Sequence, residues 1–421
     1  MGAPLNDERP ERLIYLVAGE PSGDALGARL MRSLKEETDG AVSFAGVGGD
    51  GMAAEGLVSL FPMEDLAVMG LAEVVPRLPL LMRRIGETVK DVRARRPDAV
   101  VTIDSPDFSF RVGKKLKGAG VPLVHYVAPS VWAWRPGRAA KIARFLDHLL
   151  ALLPFEPPYF EAVGLGCTFV GHPVLESGAD EADGVAFRRH HEIGSEERLL
   201  LLLPGSRRGE ISRHLPVFGQ TQARIAAEMG PLRTAIVTLP HLASAICDGT
   251  ADWEDKPLII DAAGEKYGAM AAADVALAAS GTVSLELALT GTPSVIAYRM
   301  NPLTAWFAKR LVKVPYASIV NLVLERGAIP EKLLSDCTPE ALAVELKTLF
   351  GDGQKRDNQR SAYEETLKAL RPAGGSPSQA AARAVLSAIA GKGPGNENTS
   401  HSITDPSGVG PTDPPHPGLP K

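Results

Sequence analysis

Two segments of the same kind most constrain how this chain folds. The first is LIYLVAGEPSGDALGARL at residues 13–30, and the second is LLLLPGSRRGEI at residues 200–211. In each, an apolar run precedes a turn rich in glycine and serine and then a helical pattern, which predicts a strand, a tight turn and a helix. The N–H groups and the dipole at a helix start favour anions and hydroxyl-rich ligands. The two segments therefore predict two α/β halves whose ligands meet in a cleft.

The rest of the chain fits this two-part arrangement. Strand-like apolar runs alternate with helical patterns from residue 13 to about residue 345, which predicts parallel βαβ units, and an acidic break at residues 172–184 divides them into two series. We therefore predict an α/β fold with two Rossmann-like domains facing a cleft. The predicted parts are domains at residues 1–175 and 176–345, helices at 346–391 that pack back across the cleft, and a disordered tail at 392–421, which is rich in proline, glycine and serine.

Composition excludes several classes of protein. The net charge of −5 provides no strong positive field, so no nucleic-acid partner is expected. The three cysteines lie far apart without the spacing of metal ligands, which predicts reduced, buried thiols and no metal site. Residues 1–12 are polar, and no apolar run is long enough to span a bilayer, so we expect a cytoplasmic chain without a signal peptide.

The first loop favours hydroxyl groups over phosphate. Its glycines recur every fourth residue, which is not the G-x-G-x-x-G pattern of dinucleotide sites. An ordinary turn with Ser22 or Asp24 as the helix N-cap is the alternative. Glu20 would repel a phosphate but can bind sugar hydroxyls, so the loop is predicted to hold a sugar acceptor. The candidates there are Glu20, Ser22, Gly23 and Asp24.

A carboxylate follows the apolar run AVVTI. Asp104 comes directly after Ile103, at the carboxyl edge of a predicted strand, where ligands bind in open α/β sheets. A carboxylate in a partly dry cleft can act as a general base, although capping and ion pairing are commoner roles. Asp107, which follows Pro106 and precedes a helical pattern, is predicted to be the helix N-cap.

The segment HYVAPSVWAWRPGR follows on the next predicted strand. His125 and Ser130 lie near its end and are candidates for contacting the acceptor, with a hydrogen-bonded core histidine as the alternative for His125. Aromatic and basic residues in this segment could stack on nucleic acid, but a packed loop followed by a helix with a solvated basic face is the simpler interpretation.

The second half has the features of a nucleotide-diphosphate site. Arginine donates two parallel hydrogen bonds to phosphate oxygens, and a glutamate one turn into a helix can accept hydrogen bonds from ribose hydroxyls. Capped βα junctions without ligands are the alternative. No two aspartates lie two residues apart, so a D-x-D metal motif is absent. The candidates are Gly205, Ser206 and Arg207 in one turn, and Ser280, Gly281, Thr282 and Glu286 in another.

Two stretches mix apolar and basic residues, at 71–96 and 298–316. Such a composition suits a helix lying on anionic lipid, although an amphipathic helix packed on a domain core is the usual alternative. Pro76 and Pro79 argue against a continuous core helix in the first stretch. The side chains expected to be exposed there are Leu78, Leu80, Leu81 and Met82.

Nine segments together resemble one family, the bacterial lipid-A-disaccharide synthases, which are inverting glycosyltransferases. They occur in the family's order from residue 13 to about residue 335, and HYVAPSVWAWR is very specific to it. Pro21 departs from the family's small residue or threonine at that position. The segments are AGEPSGDALGA, GVGGDGM, MEDLAVMGLAEV, DSPDF, HYVAPSVWAWRPGR, LPFEPPYF, GHPV, LPGSRRGEI and ASGTVSLELAL.

The resemblance implies a fold, a reaction and a location. The fold would be glycosyltransferase type B (GT-B), with the acceptor in the N-terminal domain and the UDP-sugar in the C-terminal domain. The reaction would join UDP-2,3-diacylglucosamine to 2,3-diacylglucosamine 1-phosphate, giving a β-1,6 disaccharide and UDP without a cofactor. The enzyme would lie on the inner face of the inner membrane as a peripheral protein.

The resemblance also assigns residues. Asp104 matches the base that deprotonates the acceptor 6-hydroxyl, whereas Arg207, Glu286 and Asn321 match positions associated with the UDP-sugar or catalysis. The segment AVMGLAEVVPRLPLLM matches a membrane-contacting part, so the predicted patch is Val74, Val75, Leu78, Leu81 and Met82. A hydrolysing UDP-sugar 2-epimerase and a non-enzymatic lipid- or nucleotide-binding protein stay open as alternatives, as does a homodimer.

Overall fold

The computed structural model describes residues 11–66, 71–134, 137–261, 264–301 and 314–391, with the backbone alone at 71–76 and 133–134. The predicted disordered tail at 392–421 and most of the second apolar and basic stretch lie outside the described residues.

The first domain is built on a parallel six-stranded sheet. Its strand order is β2-β1-β3-β4-β5-β6, so the order reverses between β1 and β3, where Ala18 pairs with Ile103. Ligands of open α/β sheets bind beyond the carboxyl ends of the strands at such a reversal. The strands are β1 (Arg12–Ala18), β2 (Val42–Val47), β3 (Ala99–Ile103), β4 (Leu123–Tyr126), β5 (His148–Ala151) and β6 (Gly166–Phe169).

The second domain repeats this plan. Its sheet has the order β12-β11-β10-β7-β8-β9, with all neighbours parallel and the reversal between β7 and β10. All five leucines of β7 are buried, as expected for a parallel strand with helices on both faces of the sheet. The strands are β7 (Leu199–Leu203), β8 (Arg233–Val237), β9 (Leu258–Ile260), β10 (Val275–Ala279), β11 (Ser294–Tyr298) and β12 (Glu331–Leu333).

Helices cover both sheets, and short 3-10 helices lie at Met63–Asp65, Pro173–Glu176, Ala179–Glu181, Pro240–Leu242 and Leu334–Asp336. The helices of the first half are α1 (Pro21–Glu37), α2 (Asp50–Ala54), α3 (Leu71–Arg95), α4 (Pro106–Leu116), α5 (Val131–Trp134), α6 (Gly137–Ile142) and α7 (Pro157–Glu161). Those that follow are α8 (Gly184–His190), α9 (Arg208–Met229), α10 (Ala243–Gly249), α11 (Lys266–Ala272), α12 (Val283–Leu289), α13 (Ile319–Leu324), α14 (Pro339–Gly351), α15 (Gly353–Ala369) and α16 (Pro377–Ala390).

The last helices join the two domains. Helices α14 and α15 pack on the second domain, where the Tyr363 hydroxyl lies 3.0 Å from Ser294 Oγ. Helix α16 returns to the first domain: Ser33 Oγ donates to Ser378 Oγ at 3.0 Å, and Ala382 is buried in the core beneath α1. The predicted fold class, with two parallel α/β domains and C-terminal helices crossing back, is confirmed.

Three local expectations are wrong. Helix α3 continues through Pro76 and Pro79, because its C-terminal half is held against the first core by buried side chains such as Ile85. The N-cap of α4 is Ser105, and Asp107 lies in the first turn. Cys247 is exposed, whereas the other two cysteines are buried. Within the described part of the chain, no helix is both long and apolar enough to cross a membrane.

Candidate active site

The two predicted loops lie at the two strand-order reversals. Glu20 directly follows Gly19 at the end of β1, and Asp104 directly follows β3, its neighbour in the first sheet. In the second sheet, Arg207 belongs to the turn after β7 and Thr282 to the turn after β10. The candidate acceptor and nucleotide residues therefore occupy the ligand-binding edge of each sheet.

Asp104 is positioned by its backbone and leaves its carboxylate available. Its N–H donates to Tyr126 O at 2.9 Å, and its carbonyl accepts from Ser109 Oγ at 2.8 Å. The residue is partly buried, and among the described residues its carboxylate has no hydrogen bond or ion pair. An unpaired, partly buried carboxylate is suited to accept a proton from a ligand.

The backbone around Asp104 is strained. Asp104 and Ser105 both have left-handed conformations, with φ of 50° and 42°, and Val127 at the end of β4 has φ of 81°. Left-handed backbone is costly for residues other than glycine, above all for a β-branched valine. All three residues follow strands β3 and β4, so the strained backbone lies at the carboxyl edge of the sheet.

Glu20 links the two domains electrostatically. Burial raises its pKa above the ordinary value, the nearby charge of Asp104 raises it further, and the positive charge of Arg207 lowers it. An opposite charge favours the ionised form of a carboxyl group, so Arg207 of the second domain acts on Glu20 of the first.

Three of the acceptor candidates are buried within the first domain. Asp24 accepts backbone hydrogen bonds from Gly49 and Gly51 at 2.8 Å and from Met52 at 3.0 Å, so both of its oxygens anchor the start of α2. Gly23 is buried in the first turn of α1. His125 is 1% exposed, and its Nδ1 lies 2.8 Å from Thr102 Oγ1.

Burial and the charge of Arg138 lower the pKa of His125 to about 3, which keeps the ring neutral. The alternative of a hydrogen-bonded core histidine therefore holds. Ser22 and Ser130 are exposed at the same edge and stay candidates for contacting a ligand.

The turn after β7 is shaped for an anion. Gly205 has φ of 122°, and a Cβ there would lie 2.6 Å from Glu210 Oε2, so only glycine fits. That glutamate oxygen accepts from the Ser206 N–H at 3.1 Å, and the carboxylate lies 3.8 Å from Arg207. A carboxylate of the chain thus already occupies part of an anion-binding turn.

The turn after β10 is held in place by a hydrogen bond from Ser280. Gly281 and Thr282 are exposed, whereas Ser280 Oγ donates to Ala317 O at 2.9 Å. Glu286 lies one turn into α12 and forms an ion pair, in which its Oε1 accepts a hydrogen bond from Lys266 Nζ at 2.6 Å. The ion pair neutralises the carboxylate while its second oxygen keeps a lone pair available.

Asn321 is buried and hydrogen-bonded within the second domain. It is 1% exposed, its Nδ2 donates to Ile329 O at 2.9 Å and to Glu331 Oε1 at 2.7 Å, and its Oδ1 accepts from Ile329 N–H. Glu331 in turn accepts from the backbone N–H groups of Ala317 and Ser318. Because Ala317 O holds Ser280, the effect of Asn321 on the site is indirect.

Sequence reasoning missed several residues that shape the two edges. Lys266 and Glu331 are described above, and buried His214 connects the Pro204 carbonyl with the Arg299 N–H, at 2.8 and 2.9 Å. Glu156, after β5, accepts from the Trp132 indole at 3.2 Å, and burial raises its pKa to about 7. The sequence indicates Glu156 only through the segment LPFEPPYF, one of the nine that carry the family resemblance.

The predicted membrane patch is exposed in part. Leu78 and Met82, one turn apart on α3, are each 43% exposed, whereas Leu81 packs against the first core and Leu80 is partly buried. Leu81 is turned inward because it lies on the same face of the helix as Ile85. The side chains of Val74 and Val75 lie outside the described residues.

Comparisons with known proteins agree with these observations. A family model described as lipid-A-disaccharide synthetase matches residues 14–385. A lipid-A-disaccharide synthase from Rhodospirillum centenum is 53% identical over 379 residues, covering 90% of this chain and 94% of that one. Another from Ruegeria pomeroyi is 48% identical over 388 residues, covering 90% and 96%.

Solved structures share the fold at low sequence identity. UDP-GlcNAc 2-epimerase from Neisseria meningitidis bound to UDP-GlcNAc gives a TM-score of 0.58 at 10% identity, covering 85% of this chain and 99% of that one. MurG from Acinetobacter baumannii gives 0.54 at 15% identity, covering 90% and 100%. These likenesses establish the GT-B arrangement, and the matches along the sequence establish more: the chain belongs to the lipid-A-disaccharide synthase family.

Proposed function

We propose that this protein transfers 2,3-diacylglucosamine from UDP to the 6-hydroxyl of 2,3-diacylglucosamine 1-phosphate, forming a β-1,6 disaccharide and UDP. The observation that carries the proposal is the unpaired, partly buried carboxylate of Asp104 at the strand-order reversal of the first sheet, with Arg207 at the reversal of the second. The family of the chain supplies the class of substrates, a nucleotide sugar and a lipid-linked sugar.

Inversion at the anomeric carbon requires one base and in-line attack. Asp104 takes the proton of the acceptor hydroxyl while that oxygen attacks from the face opposite UDP. The bond between the anomeric carbon and the diphosphate oxygen breaks, and its electron pair leaves with UDP. Arg207 and the N–H groups of the turns at Gly205 and Gly281 stabilise the charge that develops there.

Acceptor recognition falls to the exposed polar groups around Asp104. Glu20 can accept a hydrogen bond from a sugar hydroxyl, and Ser22 and Ser130 lie at the rim of the same edge. On the nucleotide side, Glu286 accepts from the ribose hydroxyls while Lys266 holds its carboxylate in place.

Both substrates carry acyl chains, so the enzyme has to meet a lipid surface. Leu78 and Met82 project from α3 beside exposed Arg77 and Arg83, an arrangement that favours anionic headgroups around apolar side chains. We propose that this face of α3 rests on the membrane.

The reaction is tested with purified protein and both acylated sugars in detergent micelles. We expect UDP and the disaccharide 1-phosphate in equal amounts, and neither product when the acceptor is omitted. A UDP-sugar 2-epimerase would consume the donor without the acceptor, and a binding protein would release no UDP. Either result would contradict the proposal.

A further inference from the structure

Two histidines and a glutamate converge on one face of the second domain. His190 ends α8, His191 follows it, and Glu265 directly precedes α11. The two helices pack against each other, and the Arg188 side chain ties them together by donating to Ala272 O at 2.9 Å. The three side chains thus come from two elements whose relative position is fixed by packing.

Their spacing matches metal coordination. His191 Nε2 lies 3.1 Å and His190 Nε2 lies 3.6 Å from the same Glu265 oxygen, Oε1, and the three ligand atoms all lie within 4.8 Å of one another. Bonds of about 2.0–2.2 Å in tetrahedral geometry place neighbouring ligand atoms roughly 3.3 Å apart. A central ion therefore requires only small side-chain movements.

The two histidines differ in burial, and the His190 ring packs edge-on against the His191 ring at 4.7 Å between centroids. His191 is 15% exposed in its side chain and packs on the Phe187 ring at 4.4 Å between centroids, so its position is set by the fold. His190 is 71% exposed, yet its Nε2 turns toward the same carboxylate oxygen instead of toward open solvent. Two imidazoles and one carboxylate are a ligand set typical of zinc.

We propose that His190, His191 and Glu265 bind one Zn²⁺ ion, with the fourth position open to water. The ion cross-links the C-terminal end of α8 to the start of α11. Since Lys266 comes next in the chain and pairs with Glu286, the ion also fixes the helix start that supports the nucleotide half. Among the described residues, this is the one group of three such side chains close enough to share a metal.

The test uses the full-length protein, treated with a chelator and then dialysed against Zn²⁺, with bound metal measured by mass spectrometry. We expect one zinc per chain at micromolar free Zn²⁺ and a rise of about 5 °C in the melting temperature. His190→Ala and Glu265→Gln should each weaken binding at least tenfold and remove the thermal shift. His241→Ala, at an exposed histidine elsewhere in the same domain, is the matched control and should bind normally.

Because His190 is largely exposed, His190→Ala keeps the fold even if Glu265→Gln disturbs it, and circular dichroism checks both. A wild-type stoichiometry well below one overturns the proposal. So does zinc binding that both variants retain. Neither result depends on glycosyl transfer, so failure here leaves the proposed function untouched.

Discussion

The two edges of the cleft are built in opposite ways. At the first edge, the residues Asp104, Ser105 and Val127 hold left-handed backbone without glycine, and the carboxylate of Asp104 is unpaired among the described residues. At the second edge, glycines supply the unusual conformations at Gly205 and Gly281, and polar side chains are already hydrogen-bonded.

From this difference we expect the first edge to serve the reaction and the second edge to serve nucleotide binding. A strained backbone carrying an unpaired carboxylate keeps a reactive group ready at a fixed place, and its cost is met by the surrounding sheet. Glycine turns present N–H groups and one arginine to a diphosphate, which has to displace the Glu210 carboxylate from the Ser206 N–H. We therefore expect substitutions at the first edge to affect turnover and those at the second edge to affect UDP affinity.

The largest effect is expected at the first edge. Asp104→Asn should lower turnover by about 10²–10⁴-fold because it removes the base, while UDP affinity stays near normal. Asparagine tolerates left-handed backbone, so the fold is preserved. Steady-state kinetics and calorimetric titration of UDP measure the two effects. Asp107→Asn, three residues away on α4, should behave like wild type, and near-normal turnover in Asp104→Asn would break the assignment of chemistry to this edge.

At the second edge, Arg207→Ala should weaken UDP binding by about 10–100-fold, the effect of losing charge-assisted hydrogen bonds to phosphate. Titration calorimetry with UDP measures it. Arg233→Ala removes the same charge from the opposite, amino-terminal edge of this sheet, at the start of β8, and should leave UDP affinity unchanged. Equal affinities for Arg207→Ala and wild type would mean that the diphosphate lies elsewhere.

A smaller effect is expected at the brace beneath the second edge. Asn321→Ala leaves the buried N–H and carbonyl of Ile329 without their partner and removes one of the hydrogen bonds to Glu331, so we expect a loss of about 1–3 kcal/mol in the free energy of unfolding. UDP affinity should fall by only a few-fold, because Ser280 is affected through Ala317. Urea denaturation and UDP titration test both. The exposed Asn358→Ala is the control, and a loss of UDP affinity as large as that of Arg207→Ala would show direct contact.

The smallest expected effect is a change in the pKa of Glu20, which depends on charges at both edges. Since the positive charge of Arg207 lowers the pKa of Glu20, Arg207→Ala should raise that pKa further, so that less Glu20 is ionised at a given pH. Asp104→Asn removes a negative charge and should lower it. Carbon-13 NMR of the glutamate carboxyl groups, with Glu20→Gln for assignment, follows the titration. If the pKa of Glu20 is the same in Arg207→Ala and in wild type, the two edges do not face each other.

The sequence by itself determined the layout of the molecule. Apolar runs mark the parallel strands β1 to β11, and in such sheets the residues that follow each strand meet at one edge, so Asp104 and Arg207 could be placed from local pattern alone. The short polar strand β12 carries no such pattern, so the sequence does not predict it, although its Glu331 supports the nucleotide edge.

Only the tertiary structure decided which polar side chains are free. Asp24 anchors backbone more than twenty residues away, His125 is enclosed beside Thr102, and Asn321 is occupied by Ile329 and Glu331. The return of α16 to the first domain likewise brings Ser378 against Ser33 and buries Ala382 in a core from the other end of the chain. Periodicity reports which face of an element is buried, whereas the partner of a polar group depends on which distant surfaces pack together, and that information is not local.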